Sequence, residues 1–230
     1  MIENKIVDKN SGSEVITEKS VLQINGYQIE KYFPDDFTPE LMTKLAVELS
    51  PLTCEGFMRS CVSLELIKDV SNHLMVSDRI VVARDTEQKP IAFMTSSMHT
   101  FEGIRGEQEL MYHLEGIIVK PECQGSGLSK QLIAQDVLES GATYLGFHTQ
   151  NGRMKSLGLK IAYINDDDSL RYANIIDTHK LQGVHDVGRY GNTSLYGNQE
   201  KFALYALTDI NWRQGDAAVC IGPIRSEILR

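Results

Sequence analysis

The chain has 230 residues, 42% of them hydrophobic and 23% charged, with a formal net charge of −8. That suits one sizeable globular domain, and no apolar run approaches the length that would span a membrane. With no basic stretch to neutralise phosphates, neither nucleic acid nor a membrane is expected as a partner, whereas a cationic substrate is compatible with the balance.

Residues 1–20 form a polar leader of mixed charge with no apolar core for a signal peptide, so a cytoplasmic protein is expected. Val21–Tyr32 alternates loosely and predicts the first strand. Thr38-Pro39 is a helix start; Leu41, Met42, Leu45, Ala46 and Leu49 give one apolar face, and Pro51 is expected to end the element. A second helix carries Leu64, Ile67, Val70 and Leu74 on one side. Arg79–Arg84 and Ile91–Ser97 read as strands joined by a turn over Asp85–Pro90, and His99–Gln108 as a polar loop. Leu110–Val119 is the central strand, Ala142–Thr149 the next, and Asn151–Ala162 a fourth helix. Past it, Asp166–Asp168 reads as an acidic turn, Gly188–Gly197 as turns, and Lys201–Leu207 as a closing strand. Cys54, Cys61, Cys123 and Cys220 share no metal-ligand spacing, so neither a metal site nor a disulfide framework is expected.

The informative stretch runs from His113 to Ser140. A β-branched run through Ile117, Ile118 and Val119 is stopped by Pro121, which cannot donate to a ladder. Gly125 and Gly127 then precede a helix whose Leu128, Leu132, Ile133 and Val137 recur at helical spacing, with Gly141 at its end. Free N–H groups at the positive end of a helix dipole suit phosphate. Two familiar phosphate loops do not fit: the spacing lacks Gly-Lys-Ser/Thr, and the third position of Gly-x-Gly-x-x-Gly is Lys130. A plain strand–turn–helix is the bland alternative.

Val119-Lys120-Pro121 followed by Gln124-Gly125-Ser126-Gly127-Leu128-Ser129 resembles the acyl-CoA loop of the GNAT acetyltransferases, with Ser129 where glycine or alanine is usual. The resemblance covers roughly residues 21 to 165. It implies an α/β fold with a mixed central sheet of about seven strands, splayed between the fourth and fifth and flanked by about four helices. Residues 21–230 would be a single such domain with an elaborated C-terminal region from about 165. It implies acetyl-CoA as co-substrate and direct transfer to a primary amine, in a small molecule or a protein, within a ternary complex. Ile117, Ile118 and Val119 would then hold the pantetheine arm, and Gln124, Gly125, Ser126, Gly127, Leu128, Ser129 and Lys130 the pyrophosphate. Oligomeric state is not set by the sequence, a dimer included.

Transfer to an amine also needs a base and a proton donor for the departing thiolate. Glu115 and His113 stand two apart on the strand and share a face, with Glu115 at a position where many family members carry a catalytic glutamate. A strand-edge carboxylate paired with a neighbouring base such as an arginine, and a half-buried histidine satisfied by a backbone carbonyl, are the structural alternatives. His148 is a lesser candidate. The family commonly donates from a tyrosine seven residues after an asparagine; Asn151 fits, but Gly158 occupies the tyrosine position. Tyr163 or Tyr196 is left as substitute, or solvent. A longer-chain N-acyltransferase and a non-catalytic acyl-CoA-sensing module are the rival readings.

Overall fold

The computed structural model describes residues 21–33, 38–60, 62–191 and 195–229. The expected leader, Cys61 and part of the Gly188–Gly197 turns lie outside the described residues. The described residues divide into two compact units, one of those up to Gly56 with Ser60–Ser96 and Gly116–Ser129, the other of Phe57–Arg59, Ser97–Glu115 and those from Lys130.

In the first unit the expected single strand is a hairpin, β1 (Val21–Ile24) and β2 (Tyr27–Tyr32), turning at Asn25-Gly26. Both turn residues have positive φ, +54° and +83°, the conformation for which Asn-Gly is the favoured pair. β3 (Arg79–Arg84) pairs antiparallel with β2 and with β4 (Pro90–Glu102). The β3–β4 turn forms as expected, closed by Asp85 N–H to the Lys89 carbonyl at 3.0 Å.

α1 (Pro39–Gly56) starts where predicted, with Thr38 Oγ1 accepting from Leu41 N–H at 3.3 Å, but it runs through Pro51 instead of ending there. Pro51 removes the donor that would serve the Val47 carbonyl. Val47 is 52% exposed, so water can serve that carbonyl instead. Buried Leu45, Leu49 and Leu52 on both sides of the break keep the helix packed. α2 (Leu64–Val76) is capped by Ser63 and buries Leu66, Val70 and Leu74. Leu64, expected on that face, is the first residue of the helix and is 85% exposed.

In the second unit β4 reaches Glu102, so His99 lies in a strand and not in the expected loop; only Gly103–Glu107 turns. β5 (Gln108–Val119) pairs parallel with β6 (Tyr144–Thr149) through the crossover helix α3 (Leu128–Ser140). The β5–β6 register runs from Met111↔Tyr144 to Leu114↔Phe147 while β5 continues to Val119, so the mixed sheet splays there. α3 buries the four residues expected of it, together with Asp136, whose carboxylate accepts from the Tyr112 hydroxyl at 2.9 Å.

α4 (Gly152–Gly158) is shorter than the helix expected to reach Ala162. The acidic stretch is no loose turn but the start of α5 (Asp166–Tyr172), capped by Asn165, where negative charge suits the helix dipole. Two short strands follow, β7 (Leu181–Gln182) and β8 (His185–Asp186). The segment expected as a closing strand is instead α6 (Gln199–Phe202) and turns, because Asn198 caps it by accepting from Lys201 N–H at 3.0 Å. The closing strand is β9 (Ala217–Pro223), antiparallel between β6 and β8. Among the described residues the α/β fold thus has nine strands and six α-helices, more than the resemblance implied. Phe101, Met111, Tyr172, Ile176 and Ile221 form a core cluster in which the C-terminal region packs on the sheet.

Candidate active site

The glycine loop owes its shape to backbone conformation. Pro121–Cys123 make a single 3-10 turn, with Gln124 N–H bonded to the Pro121 carbonyl at 3.2 Å. Gly125 and Gly127 follow at φ +81° and +83°, and a Cβ at either would meet nothing within 4 Å. What demands glycine here is the left-handed conformation and not crowding. Ser126 Oγ donates to the Cys123 carbonyl at 2.7 Å, holding the turn just ahead of α3. Gln124 donates from Nε2 to the Val119 carbonyl at 3.0 Å, tying the loop back to the end of β5. Residues 124–127 are exposed, Leu128 is buried, Ser129 half-buried and Lys130 exposed. Of the strand residues expected to meet the donor, Ile117 is half-buried and Ile118 and Val119 are buried.

In the second unit a polar cluster lies on the odd-numbered face of β4 and β5. Glu115 Oε1 accepts from Ser97 Oγ at 2.7 Å and lies 3.0 Å from His113 Nδ1. Ser97 Oγ is also 3.1 Å from His99 Nε2. The side chain of His113 is 4% exposed and that of Glu115 19%, so the carboxylate is the more accessible. Glu115 thus has a hydroxyl and an imidazole among its partners.

The His113 ring stands 5.8 Å from that of His148, centroid to centroid, and His148 Nε2 lies 3.3 Å from Asp186 Oδ2. Burial pulls the His148 pKa below its ordinary value, outweighing the neighbouring carboxylate. Burial alone would raise Asp186, but His148 and the Lys180 and His179 N–H groups bring it down to about 2. Asp186 accepts from those two N–H groups at 2.7 and 2.9 Å. Burial also raises the Tyr190 phenol, and its electrostatic neighbours include Asp186, Tyr196 and Glu115.

Asn151 caps α4, accepting from Arg153 N–H at 2.9 Å, and donates from Nδ2 to the Tyr196 hydroxyl at 3.4 Å. Tyr196 stacks on Phe202 at 3.6 Å, and burial raises its phenol above the ordinary value. No side chain fits at Gly158: a Cβ there would lie 2.4 Å from Phe147 Cζ. Tyr163 is 50% exposed under the Arg225 guanidinium and bonds through its N–H to the Pro223 carbonyl. Pro223 pairs with Tyr144, so Tyr163 sits at the opposite end of β6 from His148.

The structure therefore brings Glu115 and His113 together and does not bring Tyr163 to them. Ser97, His99, Asp186 and Tyr190 were missed. The period-two match between Ser97/His99 and His113/Glu115 was the available signal for the first pair; the others come from a region with no regular periodicity. Among the described residues no group of three His, Cys, Asp or Glu side chains could hold a metal ion. No helix there is long and apolar enough to cross a membrane.

A parallel strand pair parting at the end of β5, a glycine loop and a crossover helix are the features that the resemblance to the GNAT acetyltransferases implied. Residues 47–159 match the model of the acetyltransferase (GNAT) family, and they form a domain of that family. No curated protein matches the chain. Similar solved structures include a conserved protein of Enterococcus faecalis V583, 10% identical over 56% of this chain and 31% of that one, TM-score 0.40. Another is a GNAT family N-acetyltransferase (YhbS) from Escherichia coli in complex with CoA, 14% identical over 91% and 87%, TM-score 0.44. A third is the ribosomal-protein-S5-alanine acetyltransferase of Vibrio fischeri, 12% identical over 90% and 98%, TM-score 0.45. The chain spans about a third of the length of the first of these.

Proposed function

We propose that the chain transfers an acetyl group from acetyl-CoA to a primary amine, by direct attack in a ternary complex. The observation that carries this reading is the loop from Val119 to Leu128, with two left-handed glycines opening the N-terminus of α3. The N–H groups there would receive the pyrophosphate, and the backbone of Ile117–Val119, past the end of the β6 ladder, the pantetheine arm. Glu115 is the base that takes the proton from the acceptor's ammonium; its carboxylate also favours a cationic acceptor. Tyr196, tethered to Asn151 and kept protonated by its burial, is the donor to the CoA thiolate in place of a helix tyrosine. On this reading residues 21–230 act as one acetyltransferase domain.

A second reading, an acyl-CoA sensor without turnover, draws on Phe147 filling the space where a tyrosine at position 158 would stand. Calorimetry with acetyl-CoA and palmitoyl-CoA, then thiol release with spermidine, an aminoglycoside and an alanyl peptide, separates the readings. Acetyl-CoA binding with amine-stimulated release is expected. Tighter palmitoyl-CoA binding would favour a longer acyl donor, and binding without release from any of the three amines would favour the sensor.

A further inference from the structure

Resting on the acetyltransferase reading, we propose that Ser97 and His99 form the exit path for the acceptor's proton, carrying it from Glu115 to solvent. A base in a half-buried site must be emptied once per turnover, and among the described residues polar side chains lead away from Glu115 in two directions. One passes through His113 toward His148 and ends at Asp186. Beyond that buried carboxylate lies Arg189, 4.0 Å away, a permanent cation that cannot take up a proton, and burial disfavours the charged form of His148. Its His113–His148 step is an edge-on ring contact at 5.8 Å.

The other branch is continuous and leads outward. Ser97 Oγ is 2.7 Å from Glu115 Oε1 and 3.1 Å from His99 Nε2, and His99 is half-buried where Ser97 is buried. A hydroxyl both donates and accepts and rotates freely to do so. In the resting state Ser97 donates to the Glu115 carboxylate. When Glu115 takes a proton from the ammonium it becomes a carboxylic acid and turns donor toward Ser97 Oγ. With His99 in its Nδ1–H tautomer, so that Nε2 carries a lone pair, the Ser97 proton then swings toward that nitrogen. Transfer of the Glu115 proton to Ser97, with transfer of the Ser97 proton to His99, restores the carboxylate and the hydroxyl and leaves an imidazolium. His99 releases that proton to water. One proton enters from the amine and one leaves at His99, with no other bond changed.

The test uses the full chain with acetyl-CoA and whichever of the three amines gives the strongest thiol release. Ser97→Ala and His99→Ala should each lower kcat about tenfold or more, with the KM for acetyl-CoA unchanged. Ser97→Thr, which keeps the hydroxyl, should restore much of the rate. Added imidazole should restore His99→Ala but not Ser97→Ala. Wild-type kcat in Ser97→Ala, or a His99→Ala protein that imidazole does not restore, overturns the relay while leaving the acetyltransferase reading intact. An absence of amine-stimulated release in the wild type removes both.

Discussion

Glu115 meets a serine hydroxyl and an imidazole, two groups that can serve its charged form. As general base it should account for about 10²- to 10⁴-fold in rate, so Glu115→Gln should lower kcat by that order while calorimetry still shows acetyl-CoA binding. If His113→Ala is the damaging change and Glu115→Gln is not, the histidine is the base. Two tyrosines can be told apart in the same way. Tyr196→Phe should lower kcat with little change in the KM for acetyl-CoA, because the phenol tethered to Asn151 is lost. Tyr163→Phe, at the far end of β6 under Arg225, should leave kcat near wild type; the reverse pattern would move the thiolate donor to Tyr163.

At the scale of elements, the loop and α4 ask for glycine for different reasons. Gly127 needs its left-handed backbone, so Gly127→Val should strain the turn and weaken acetyl-CoA by more than tenfold, about 1.4 kcal/mol, in calorimetry. Gly158 needs the absence of a Cβ, because Phe147 fills the space. Gly158→Ala should therefore destabilise the fold by about 1–3 kcal/mol through overpacking, read as a lower melting temperature; an unchanged melt would show that Phe147 yields.

The same contrast explains what was legible. The glycine loop, α3, the β3–β4 hairpin and the Glu115/His113 pair follow from local chemistry written in consecutive residues. Pro51 misled because burial of neighbours on both sides outweighs one lost hydrogen bond. Lys201–Leu207 misled because a short apolar run fits strand or helix, and the Asn198 cap decides it. Asp186 was invisible because its role depends on β9 carrying β8 alongside β6, a pairing of distant segments.

For the whole molecule, His148 and Asp186 make stability depend on pH in one direction. His148 is held below its ordinary 6.5, so the unfolded chain takes up a proton before the folded one does. Its contribution is present above pH 6.5 and fades on acidification through that value. Asp186, lowered from 3.8 to about 2, contributes above pH 3.8 and loses that contribution as pH falls toward 2. The Asp186 part is on the order of 2 kcal/mol. Melting temperature should therefore drop in two stages between pH 7 and pH 2.5, with His148→Asn removing the upper stage and Asp186→Asn the lower. A flat profile from pH 7 to 5 would contradict the placement of His148.

The position of β9 also has a bearing on how the chain is made. Among the described residues it is the last strand in chain order, yet it pairs on one side with β6 and on the other with β8. During synthesis, everything from β6 to α6 leaves the ribosome before the strand that joins them. Until Ala217–Pro223 emerges, β6 and β8 each offer an open edge of unpaired N–H and carbonyl groups to any nascent neighbour. A ribosome stalled short of Ala217 would therefore carry an aggregation-prone product, whereas one stalled after Pro223 would carry a strand able to close both edges at once.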